Sequence, residues 1–109
     1  MSKQLRYYIA KNGKAPLEDW LTSIQNPMTK ARIQRRLERM TLGYYGDSKT
    51  LSNADGIKEL RLDFGAGYRV YFWEHDDTLI LLLCGGNKST QKRDIQLAKK
   101  YLADIKRNL

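Results

Sequence analysis

The chain has 109 residues, enough for one domain around one core and too few for two. With 41% hydrophobic and 29% charged residues it has the composition of a folded globular protein and not of a disordered one. Lys and Arg outnumber Asp and Glu by 20 to 12, a formal charge of +8, so a polyanion is the default partner; solubility, or an acidic protein partner, would draw on the same excess.

The single cysteine, Cys84, excludes an internal disulfide and makes no metal site alone. It lies in an apolar run and reads as a buried, inert thiol. The N-terminus carries no apolar leader, and the run Leu79–Cys84 is far shorter than the roughly 20 residues that cross a bilayer. A soluble cytoplasmic protein with no membrane contact is expected. No His/Cys cluster has metal-ligand spacing, so neither metal nor cofactor is expected.

In chain order, Leu5 to Ala10 reads as a first strand ending at the turn signal Asn12-Gly13. Pro16 suits a first helical position, and Leu17, Trp20, Leu21 and Ile24 form the apolar stripe of that helix. Asn26 caps a second helix with Pro27 in its first turn. Ile33, Leu37 and Met40 lie on one face of it; Lys30, Arg32, Arg35, Arg36 and Arg39 occupy the others and read first as a solvated surface, with backbone tracking of a nucleic acid as the alternative. Gly43 ends the helix, and Tyr44 to Gly56 reads as a polar loop. Ile57–Phe64, Tyr68–His75 and the continuously apolar Leu79–Cys84 form an antiparallel meander whose last strand is interior. After Gly85-Gly86, Ser89 or Thr90 caps a last helix with an apolar seam of Ile95, Ala98, Leu102, Ile105 and Leu109. The order β-α-α-β-β-β-α describes a single α+β domain over residues 1–109.

Side chains alternate across a strand, so a glycine turn pairing Phe64 with Tyr68 sorts the first hairpin into two faces. Leu60, Leu62, Phe64, Tyr68, Val70 and Phe72 form a core face. Glu59, Arg61, Asp63, Arg69, Tyr71 and Trp73 form a mixed face suited to phosphate binding and base stacking. The plain alternative is a solvated face with Asp63–Arg69 and Glu59–Arg61 compensation. The junction Gly85-Gly86-Asn87-Lys88-Ser89-Thr90-Gln91 offers free N–H groups and a lysine to an anion, without the glycine spacing of a P-loop. His75, beside two aspartates at a turn, reads as a surface residue.

The segments Glu59-Leu60-Arg61-Leu62, Gly67-Tyr68-Arg69-Val70-Tyr71-Phe72 and Leu82 to Gln91, followed by Asp94-Ile95 and Ala98, resemble the addiction-module killer proteins of the RelE/ParE superfamily, on its HigB-like side. The resemblance implies a small four-stranded, mainly antiparallel sheet. Two N-terminal helices would lie on one face, the first strand beside the last, with a C-terminal helix after it. It implies the toxin of a type II toxin–antitoxin module, an endoribonuclease that cuts messenger RNA on the ribosome through attack of a ribose 2′-OH on the adjacent phosphate. A HigA-like helix-turn-helix antitoxin would hold it off. The alternatives are a non-catalytic ParE-like toxin acting on gyrase, or a binding module without toxicity. By the same resemblance Arg69 is the phosphate-binding arginine, Lys88 a second cation on the transition-state charge and Arg61 a third. Asp94 falls where relatives place a tyrosine, and would transfer a proton or orient Arg93 or Lys92; Tyr71, Asp63 and Glu59 are its rivals. Tyr71, Trp73, Arg93 and Gln91 are the remaining expected RNA contacts.

Overall fold

In the computed structural model, which describes residues 2–109, the apolar stripes and alternating segments assemble a five-stranded mixed sheet with helices on both faces. The elements are β1 (Gln4–Tyr7), α1 (Pro16–Ser23), α2 (Pro27–Met40), β2 (Ser48–Thr50), β3 (Lys58–Leu62), β4 (Tyr68–His75), β5 (Leu79–Asn87), a 3-10 turn (Lys88–Thr90) and α3 (Gln91–Arg107). The sheet order is β1-β5-β4-β3-β2, with β1 parallel to β5 and the other pairs antiparallel. The expected α+β fold is thus present with one more strand than expected. The extra strand, β2, lies inside the segment read as a loop. Its Ser-Lys-Thr carries no apolar alternation, so only its pairing with β3 marks it as a strand.

Local chemistry sets the element ends. The Asn26 side chain accepts from the N–H groups of Met28 (2.9 Å) and Thr29 (3.3 Å), two donors that helix geometry leaves free. Pro16 and Pro27 each stand at a first turn, where a missing N–H costs nothing. Asp76 and Asp77 both adopt positive φ, 52° and 55°, which matches the twist of the β4–β5 hairpin.

α1 and α2 cover one face of the sheet, where Leu17, Leu21, Ile33, Leu37 and Met40 meet Leu60, Leu62, Val70, Phe72, Ile80 and Leu82. α3 covers part of the other, where Ala98 and Leu102 meet Tyr8, Ile57, Tyr71, Leu83 and Cys84. Each fully buried Leu, Ile or Phe contributes about 1.5–3 kcal/mol to this three-layer arrangement. A bulge explains the unbroken apolar run of β5. Tyr71 pairs with Cys84 and Phe72 with Leu82, so Leu83 is an extra residue that lets two successive side chains face α3. No helix among the described residues is long and apolar enough to cross a membrane.

The hairpin register differs from the expected one. Leu62, not Phe64, pairs with Tyr68, so the connection runs from Asp63 to Gly67. The slip is two residues, which keeps parity and hence the two faces.

Candidate functional site

One end of the sheet gathers cations from three elements. Arg69 on β4 pairs laterally with Arg61 on β3 and with Gly86 on β5. Glu59, Tyr71 and Cys84 form the next row inward on the same face. Beyond the strand ends, Gly67 (φ +73°) turns the chain so that a methyl on it would lie 3.5 Å from Lys88 Cβ and 3.8 Å from Arg69 Nη1. Arg69 and the exposed Lys88 therefore flank one turn.

Arg69 is only 8% exposed. Its Nη1 donates to the carbonyl oxygens of Tyr68 (3.0 Å) and Gly67 (3.2 Å), while its buried Nε has no partner among the described residues. Among those residues no carboxylate pairs with it either; Glu59 turns to Arg61 instead, accepting from Arg61 Nε at 3.4 Å. A buried guanidinium without a counter-charge is costly, and a second cation directly across the sheet adds to the cost. An anion arriving from outside would relieve both.

The junction after β5 holds the rest of the site. Asn87 and Thr90 cap each other's backbone across the 3-10 turn, which orders the segment carrying Lys88. Asp94, in the first turn of α3, is 2% exposed. Its Oδ2 accepts from Thr90 Oγ1 at 2.6 Å and its Oδ1 from Arg93 Nη2 at 3.3 Å. The carboxylate lies against Gly86, where a methyl would collide with it and stand 2.7 Å from Thr90 Oγ1. Gln91 Nε2 donates to Glu59 Oε2 at 2.6 Å, tying the start of α3 to β3.

The structure thus brings Arg61, Arg69, Lys88, Gln91, Arg93 and Asp94 to one end of the molecule. The expected stacking residues fare differently. Tyr71 is fully buried beneath α3, its phenol pushed up by burial and by the Glu59 carboxylate, so its ring belongs to the core and not to a binding surface. Trp73 lies four residues along β4 from Arg69, about 13 Å away, with its ring 5.4 Å from His75 and Lys106 Nζ 5.6 Å above it. Of the rival proton acceptors, Glu59 is fully buried and Asp63 is exposed. Cys84 is buried, its thiol pushed up to about 12 by burial first and then by Asp94. His75 faces Asp76 at 3.2 Å, far from the cations. Arg36 and Arg39, expected first as part of a solvated helix face, and Tyr44, expected in a polar loop, border a cleft with Arg61.

The family described as phage derived protein Gp49-like (DUF891) matches residues 19–106. An uncharacterized protein of Haemophilus influenzae is 48% identical over 88 residues, which cover 81% of this chain and 87% of that protein. Among solved structures, a mutant of the E. coli toxin RelE in the free state is similar over 100% of both chains, with a TM-score of 0.65 at 12% identity. At that identity the likeness concerns the fold.

Proposed function

This chain belongs to the phage-derived Gp49-like family, and from that membership, the RelE-like fold and the cation row we propose that it is the toxin of a toxin–antitoxin pair and cleaves messenger RNA. The observation that carries the reading is Arg69, a buried guanidinium with no carboxylate partner among the described residues, flanked by Arg61 and Lys88. A scissile phosphodiester supplies the missing negative charge. In the reaction the ribose 2′-oxygen bonds to phosphorus as its proton passes to water. The bond from phosphorus to the 5′-oxygen then breaks, that oxygen takes a proton from water, and a 2′,3′-cyclic phosphate is left on the other fragment. Charge on the phosphorane oxygens peaks between these events, and Arg69 and Lys88 stabilise it without reorganisation because the β4 strand and the capped turn already hold them in place. Asp94 acts as a positioning residue: both of its oxygens are occupied by Thr90 and Arg93, so it fixes the turn and presents Arg93. Arg61, Gln91 and Arg93 line the path of the message. Its partners are the ribosome carrying the message and a HigA-like helix-turn-helix antitoxin.

The test is brief induction in cells followed by primer extension on an abundant message. Cuts inside codons are expected with the native chain. Arg69→Ala and Lys88→Ala should each lower cleavage by about 10²–10³-fold and restore growth, as loss of a donor to transition-state charge does elsewhere. Intact messages during growth arrest would sink the reading, and altered DNA supercoiling in those cells would point to gyrase instead.

A further inference from the structure

Arg61 belongs to two surfaces. It stands across from Arg69 in the sheet, and it also lines a cleft of about 340 Å³ with Arg36 and Arg39 of α2, Tyr44, Asp47 and Asp63. The cleft is open, and its aromatic group is available: Tyr44 is 63% exposed, with the Arg39 guanidinium 5.8 Å from its ring centroid. Arg36 rests on the Gly46 backbone, where even a methyl would displace it, so its guanidinium is held at the cleft wall. Among the described residues none of the three arginines is paired with Asp47 or Asp63.

We propose that this cleft is a second subsite for single-stranded RNA, taking the nucleotides that flank the scissile phosphate. The inference rests on the ribonuclease reading above and extends it. A flexible strand leaving Arg69 passes over Arg61, which both surfaces share, and enters the cleft beside Arg36 and Arg39. An exposed aromatic ring beside arginines is the arrangement that stacks a base while cations hold its phosphates. The two aspartates repel a phosphate but accept from an exocyclic amine. The base therefore sits toward Asp47 and Asp63, the phosphates toward Arg36 and Arg39, and uridine, which has no amine, gains least.

The experiment measures fluorescence anisotropy of the full chain with a labelled trinucleotide and a labelled nonanucleotide. Each carries a 2′-deoxy sugar at the cleavage position to block the reaction. The native chain should bind the longer RNA about tenfold more tightly. Tyr44→Ala and Arg39→Ala, both at exposed positions, should remove most of that gain and leave trinucleotide binding unchanged, while Tyr44→Phe keeps it. If the native chain shows the gain and both alanine variants retain it, the subsite is wrong and the ribonuclease reading stands. If the native chain binds neither RNA and leaves messages uncut in cells, both fall.

Discussion

Arg69 is 8% exposed and stands opposite Arg61, with two backbone carbonyls as its only bonded acceptors among the described residues. Folding alone does not favour that arrangement. Replacing buried ionic groups by apolar residues of similar volume is often neutral or stabilising by about 1–4 kcal/mol, because the desolvation cost disappears. Arg69→Met should therefore raise the free energy of unfolding by about 1 kcal/mol, the loss of two hydrogen bonds offsetting part of the gain, while abolishing message cleavage. Urea denaturation of the two proteins at neutral pH decides it. A less stable Met variant would mean that Arg69 serves the fold, and would remove the main support for an anion site. Arg69→Lys should not restore activity, since an ammonium cannot reproduce the planar fork whose Nη1 is fixed by Gly67 and Tyr68.

The junction of β5, the 3-10 turn and α3 sets how close the helix approaches the sheet, and Gly86 is where that distance is least. Gly86→Ala forces apart the Asp94 carboxylate and the Thr90 hydroxyl, so it should cost about 1–3 kcal/mol by overpacking and displace the turn that carries Lys88. Adding Asp94→Ala should recover part of the stability but not the cleavage. The coupling, read from thermal melts of the four proteins, should be favourable; additive effects would mean that the two side chains do not meet. This junction also marks where the sequence could be read and where it could not. The apolar seam of Ala98 and Leu102 was plain from its spacing, but nothing local said which surface it covers. It covers Tyr71 and the middle of the mixed face, so a ring expected to stack bases is core, while Arg61 at one end of that face stays part-exposed. The two faces themselves were legible despite the wrong turn, because an error of two residues preserves alternation. Ser48–Thr50 was not, since three polar residues carry no period and an edge strand needs none. Lys88 was legible as a cation at a glycine-rich junction, whereas its place beside the Gly67 turn that Arg69 also flanks is set by the fold.

Across the whole molecule, a charge of +8 on one small domain means that cations are crowded together, and one half-buried carboxylate ties distant segments against that repulsion. Glu74 on β4 accepts from Lys3 before β1 at 2.6 Å, from Tyr45 in the α2–β2 connection at 2.6 Å and from Lys58 on β3 at 2.8 Å. Burial on its own would raise the Glu74 pKa, but the hydrogen bonds from Lys3, Lys58 and Tyr45 together outweigh it and hold the carboxyl at about 2 against an ordinary 4.5. A carboxyl whose folded pKa lies below its unfolded value binds protons more readily when unfolded. It therefore stabilises the fold fully above pH 4.5, and that contribution is lost as the pH falls toward 2. The difference corresponds to about 3 kcal/mol at most. Protonation then leaves the Lys3 and Lys58 ammonium groups without their shared acceptor while the net charge of the chain climbs. Thermal melts followed by circular dichroism should show the native chain losing stability across that acidic window. Glu74→Gln should start lower at neutral pH and fall less steeply through it, keeping only the slope due to other carboxyls such as Asp104, which the Tyr8 hydroxyl holds down. Equal slopes for the two proteins would show that the cluster does not hold the N-terminal strand, the α2–β2 connection and the sheet together.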